Sequence, residues 1–216
     1  MLFSICSVIS CASMWYGRSW IARWFAVVGL RMIGWKDVSK SAEPAWISLP
    51  KRYVVFGEPH THMLDFLFMQ MFFLVWRVKN VKIPVNKKFF VGPIGWACRF
   101  LGGVPVDTRQ RHGVVNSLVE WFDTDERRVL HISPSSTRSY SPSWKSGFYH
   151  IALSANVPVV PAFLDAKTKT YGWGSPFKLT GDKSKDMDHF RAFYKDKRGF
   201  SPDKESVIML KCEQQE

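Results

Sequence analysis

Short runs rich in Val, Ile and Phe alternate with helix-length apolar stretches along most of this chain, and that rhythm restricts the fold more than any other feature. Residues 53–56, 81–85, 104–106, 128–132 and 157–164 read as strands by length and β-branched content. Between them, residues 64–76, 94–101, 113–122 and 145–155 read as helices, and 186–197 predicts one more. Strands joined through helices pair in parallel, so the expected fold is α/β: a sandwich of a largely parallel sheet flanked by helices. Pro158 and Pro161 interrupt the last strand, which predicts that it lies at an edge or bends. The 216 residues suit one core with a short appendage.

The appendage is N-terminal. Five of the ten tryptophans (Trp15, Trp20, Trp24, Trp35, Trp46) fall in it. Residues 19–35 are apolar apart from Arg23 and Arg31, and residues 1–17 are uncharged and rich in Ser. Neither stretch supplies the ~20 strongly apolar residues of a membrane span, and the start lacks the basic region of a secretory signal. Trp and Phe beside Arg is the pattern of a helix lying in the headgroup layer with its arginines snorkelling. Residues 20–33 are therefore expected as an amphipathic membrane-interface helix, although a core-packing helix has similar apolar content. With Pro44 and Pro50 marking a connector, residues 1–50 form the interface segment and 51–216 the α/β domain.

Charge narrows the partners. Thirty basic against eighteen acidic residues give a net +12, which favours phosphate groups or anionic lipid surfaces. No acidic residue stands between Glu126 and Asp165, yet Arg127, Arg128, Arg138 and Lys145 lie there. Nucleic acid would also suit the charge, but no binding module is recognisable and none is expected as a partner. Cys6, Cys11, Cys98 and Cys212 are scattered without C-x-x-C spacing, which argues against a zinc ribbon or a disulfide scaffold. No G-x-S-x-G elbow, Walker loop or dinucleotide motif is present.

Two segments carry candidate chemistry. Pro59-His60-Thr61-His62-Met63-Leu64-Asp65 sits between a predicted strand and a predicted helix, where α/β folds place ligand sites. The spacing lets His60 and Asp65 meet across the turn that opens the helix. The carboxylate would then fix the ring tautomer and leave the other nitrogen as a general base for a hydroxyl. Read plainly, Asp65 is a first-turn helix charge and His60 a loop residue. His60, His62 and Asp65 also suggest a metal-dependent hydrolase, but a catalytic zinc needs a further ligand, and no other His has telling spacing. No metal is expected. The second segment, Ser133-Pro134-Ser135-Ser136-Thr137-Arg138-Ser139, is a hydroxyl-rich loop that can hold a phosphate beside a guanidinium, or be a surface turn.

Together these segments resemble the glycerolipid acyltransferase family, of the lysophosphatidic-acid acyltransferase type, across four ordered blocks from His60 to Asp165. His60 and Asp65 match its H-x-x-x-x-D. Lys87 and Phe90, with Gly92-Pro93-Ile94-Gly95 and Gly102-Gly103-Val104-Pro105-Val106-Asp107, resemble the second block. Pro134 with Thr137-Arg138-Ser139 resembles P-E-G-T-R-S, and Val157-Pro158-Val159-Val160-Pro161 the fourth. Trp144-Lys145-Ser146-Gly147-Phe148 extends the likeness to bacterial-type members.

The resemblance implies the glycerolipid-acyltransferase sandwich and transfer of a fatty acyl group from an acyl thioester to a lysophospholipid hydroxyl. It implies His60 as base, oriented by Asp65. Lys87, Arg109, Ser135, Ser136, Thr137 and Arg138 would bind the acceptor's phosphate. It implies no cofactor, acyl-CoA or acyl-carrier protein as co-substrate, and a peripheral or monotopic place at a membrane surface. The chain departs from the pattern at Pro59 (usually Asn), His62 (usually Ser), Thr108 (usually Arg) and Ser135-Ser136 (usually Glu-Gly). Those departures leave open a catalytically impaired member that binds lipid or membrane.

Overall fold

A computed structural model describes residues 20–39, 49–107 and 111–215. The elements run α1 (Trp20–Met32), β1 (Lys36–Asp37), β2 (Arg52–Glu58), α2 (Leu64–Val75), β3 (Val81–Asn86), α3 (Gly92–Phe100), β4 (Gly103–Val106) and α4 (Arg111–Asp123). Then follow β5 (Arg128–Ile132), α5 (Gly147–Ser154), β6 (Val159–Asp165), β7 (Thr170–Trp173) and α6 (Lys183–Tyr194). The strands form a seven-stranded sheet in the order β1-β7-β6-β2-β5-β3-β4. Every pairing is parallel except the antiparallel β6–β7 pair. The expected α/β sandwich with a largely parallel sheet is therefore the observed fold.

β2 runs through the middle and is buried on both faces, which explains its continuous apolar run. Alternate side chains enter two cores. Tyr53 and Val55 join Leu30, Trp35, Phe68, Phe72 and Trp76 under α1 and α2. Val54 and Phe56 join Leu118, Phe122, Phe148 and Phe190 under α4, α5 and α6.

Two expectations need correction. The proline-bearing strand β6 is interior, between β2 and β7, not at an edge. Pro161 is tolerated because it faces Gly174, just past the end of β7. Gly174 donates to the Pro161 carbonyl at 2.8 Å, and the reciprocal bond that proline cannot donate falls beyond the ladder. In α1 the arginines do not both snorkel: Arg23 Nε donates to the Val75 carbonyl at the end of α2, 3.2 Å away. Trp35 is buried against Phe68 and Phe200. α1 buries Ala26 and Leu30 on α2 and leaves Trp20, Ile21, Trp24 and Phe25 exposed. Among the described residues, no helix is long and apolar enough to cross a membrane. Residues 1–17, Trp15 and Trp46 lie outside the described residues.

Candidate active site

β2, β5, β3 and β4 are neighbours with parallel partners, so the loops that follow them open at one edge of the sheet. Open parallel sheets bind ligands at that edge. The loop after β2 carries His60, the loop after β5 carries residues 133–138, Lys87 follows β3, and Asp107 follows β4. Gly57 lets α2 approach closely. A Cβ there would fall 2.5 Å from His131 Nε2 and 2.6 Å from Met69 Cε.

Asp65, buried in the first turn of α2, organises the loop before it. Its Oδ2 stands 3.3 Å from His60 Nδ1. The same oxygen accepts from the backbone N–H of Thr61 at 2.6 Å and of His62 at 2.7 Å. One carboxylate thus fixes both the imidazole and the path of the chain that carries it. A ring whose Nδ1 faces a carboxylate presents Nε2 as the lone-pair nitrogen. The His60 side chain is partly exposed, at 23%.

Glu58 has no motif signature; its one mark in the sequence is an acidic residue closing an apolar strand. It is buried, and its Oε2 accepts from the His60 backbone N–H at 2.9 Å. Its Oε1 accepts from Ser135 N at 3.0 Å and from Ser135 Oγ at 2.8 Å. Burial pushes the Glu58 carboxyl above the usual carboxylate range, and the Ser135 bonds pull it partly back. Ser133 Oγ donates to the Gly57 carbonyl at 3.1 Å, so the loops after β2 and β5 are stitched at two points.

His131 is a second residue that no spacing marked. It is buried, and neither ring nitrogen has a hydrogen-bond partner among the described residues. Burial first, and the nearby His60 second, lower its pKa to about 3. A later segment also closes on the first loop. Ser201 N donates to Thr61 Oγ1 at 3.1 Å, and the Phe200 ring lies 5.8 Å from His62. Gly199 passes so near that a Cβ would fall 2.5 Å from Thr61 Oγ1.

The residues expected to hold phosphate are less tightly placed. Lys87 is mostly exposed, with its Nζ 2.5 Å from Asp107 Oδ2. Arg138 is exposed and makes no hydrogen bond or ion pair with a described residue. Ser135 turns inward to Glu58, so its hydroxyl is not presented to a ligand. Ser136 is exposed and holds φ at 56°, a left-handed conformation that favours glycine. Thr137 Oγ1 accepts from Ser139 N at 3.2 Å. Arg109 lies outside the described residues. His62 is exposed, and its Nδ1 accepts from Leu64 N at 3.1 Å. Among the described residues, no three His, Cys, Asp or Glu side chains group as metal ligands.

The family model named Acyltransferase matches residues 48–165, which takes in all four motif blocks. The chain belongs to the Acyltransferase family. A human relative, 1-acyl-sn-glycerol-3-phosphate acyltransferase beta, is 29% identical over 109 residues. That alignment covers 47% of this chain and 38% of the relative, so the chain spans well under half of the curated protein it matches. Among solved structures, the 1-acyl-sn-glycerophosphate (LPA) acyltransferase PlsC from Thermotoga maritima superposes with a TM-score of 0.48 at 18% identity. The match covers 81% of this chain and 74% of that one.

In this acyltransferase-family chain the departures have structural consequences. Where the family pattern has Glu-Gly in block three, Ser136 adopts the glycine-like backbone and Ser135 meets a carboxylate brought from β2. The fourth block leads into β6, whose Val159 to Phe163 pair with Val54 to Glu58 of β2. Blocks one, three and four therefore lie on adjacent strands, with block two beyond β5.

Proposed function

We propose that the chain transfers a fatty acyl group from an acyl thioester to the hydroxyl of a lysophospholipid, with lysophosphatidic acid as the default acceptor. The observation that carries this reading is the His60–Asp65 pair, 3.3 Å apart at the ligand-binding edge of the sheet, inside the matched family region.

His60 Nε2 takes the proton from the acceptor hydroxyl as its oxygen attacks the thioester carbonyl carbon. The tetrahedral intermediate collapses with cleavage of the C–S bond. The imidazolium then returns its proton to the departing thiolate, so no acyl-enzyme forms and the histidine is regenerated. Asp65 keeps Nδ1–H in place and stabilises the imidazolium. Arg138 and Lys87, with Arg109 by resemblance, hold the acceptor's phosphate and bring its hydroxyl into line. Ser136 and Thr137 border that anion, while Ser135 acts from behind the loop. The reaction takes no cofactor; the donor is acyl-CoA or acyl-carrier protein.

Both acceptor and product live in a bilayer, and the chain carries apolar side chains suited to one. Trp20, Trp24 and Phe25 of α1 are exposed, as are Ile94 and Trp96 of α3. α1 packs on α2, and the ends of α2 and α3 line one small cavity, so these residues belong to the same face of the sheet. Aromatic side chains beside Arg and Lys seat a protein in the headgroup layer, in a monotopic or peripheral mode.

A thioester-consumption assay against a panel of lysophospholipids, with His60→Ala as control, tests the reading. Turnover with a phosphate-bearing acceptor, lost in the control, is expected. Equal rates for both proteins reject the mechanism. A wild-type protein that binds liposomes without consuming any thioester replaces the enzyme by a lipid-binding family member.

A further inference from the structure

We propose that Glu58 is a positioning residue for the reaction. Its carboxylate, supplied from β2, does the work of the acid that the family pattern places at position 135, and it locks the His60 loop to the loop that carries Arg138. This inference rests on the acyltransferase reading above.

Glu58 is the last residue of β2; strand alternation sets it on the same side as Val54 and Phe56, and Tyr194 of α6 feels its charge. It is 5% exposed and Ser135 is 1% exposed, so their junction is a closed compartment. Three donors converge on the one carboxylate: the His60 N–H on Oε2, and the Ser135 N–H and hydroxyl on Oε1. A buried carboxylate with bonds to both loops fixes their spacing, because each lost bond would leave a buried donor unsatisfied. Only one acid fits. With Glu58 present, a glutamate at position 135 would press two like charges together in an apolar enclosure. Serine at that position is thus the complement of Glu58: it is small, and it adds a hydroxyl donor where a carboxylate arrives from the neighbouring strand. The departure at Ser135 and the carboxylate of Glu58 thus form one unit.

Neutral replacements separate positioning from mere stability. Burial raises the Glu58 carboxyl, so the native state takes up its proton more readily than the unfolded chain does. Wild-type stability therefore rises as pH falls through the native pKa of this group, and an uncharged side chain escapes the desolvation cost. Glu58→Gln keeps the shape but turns an amide NH2 toward one of the three donors. The expected result is a folded protein whose Tm changes little, because the relieved desolvation cost and the unpaired donor oppose each other, together with a kcat reduced by up to about 100-fold, since small misplacements of reacting groups cost that much. The KM for thioester is expected to stay near its wild-type value.

The decisive set is wild type, Glu58→Gln, Glu58→Ala, Ser135→Glu and the double variant Glu58→Ala/Ser135→Glu, each followed by turnover, Tm and the NMR shift of the His60 amide proton. Ser135→Glu alone is expected to lower Tm, and the double variant to recover much of the kcat lost in Glu58→Ala. The His60 amide should move upfield in Glu58→Ala, as it loses its charged acceptor. Wild-type turnover that Glu58→Gln leaves intact, or a folded double variant no better than Glu58→Ala, overturns the inference while leaving the acyltransferase reading standing. Absence of wild-type turnover rejects that reading instead. The His60 amide shift then decides the loop-locking contact by itself: an upfield move in Glu58→Ala supports it, and an unmoved shift overturns it.

Discussion

The two halves of the candidate site are built differently. Around His60 and Asp65 nearly everything is tied down: a buried carboxylate, two backbone donors on one oxygen, Glu58 behind and Ser201 alongside. Around Lys87 and Arg138 the side chains are exposed, one with a single ion pair and the other with none among the described residues. In the proposed mechanism, proton transfer needs a donor and acceptor placed to within a fraction of an ångström, which a geometry fixed in advance supplies. An anion is drawn in by charge over longer distances, and flexible cations can close on it after it arrives.

That contrast can be broken by experiment. The largest effect is expected from His60→Ala, a loss of about 100- to 10,000-fold in kcat measured by thioester consumption, because general-base help has that size. Arg138→Ala is expected next. It should lower kcat/KM for phosphate-bearing acceptors by about 10- to 100-fold, the worth of a charge-assisted hydrogen bond, with the thioester KM unchanged. A fall in kcat at unchanged acceptor KM would place Arg138 with the rigid half. Lys87→Gln should raise the acceptor KM only a few-fold and reduce its salt dependence, since an exposed lysine already shared with Asp107 contributes little.

The smallest effect sharpens the rigid half. His131 stays neutral in the folded protein down to a pKa of about 3, against an ordinary value of 6.5. Between those values the unfolded chain binds the extra proton, so this residue makes stability fall as pH drops through that window and contributes no change above it. His131→Leu should flatten that part of a Tm–pH profile. An acid limb identical to wild type would show that the buried ring is not its source.

How much of this could be read from residues alone depends on how local each cause is. β2, α2, β3 and β5 announce themselves through composition and length. β1 does not, because two residues establish no pattern, and neither does β7, whose four residues are interrupted by Gly172. Pro158 and Pro161 pointed to a strand at an edge or bent, and only the end of β7 opposite Pro161 explains why an interior position is allowed. The His60–Asp65 contact was legible because it spans one turn. Glu58 was not, because its partner lies 77 residues away and nothing local marks the pair. Ser135 illustrates the same limit. As a hydroxyl in a polar loop it read as a phosphate ligand, yet it faces the interior.

The contact between Thr61 and Ser201 joins positions 140 residues apart. A chain emerging from the ribosome therefore displays all four motif blocks well before the stretch that braces the first of them has been made. Domains tend to form from the N-terminus onward during synthesis. The histidine loop then stands without its brace until residue 201 has been added.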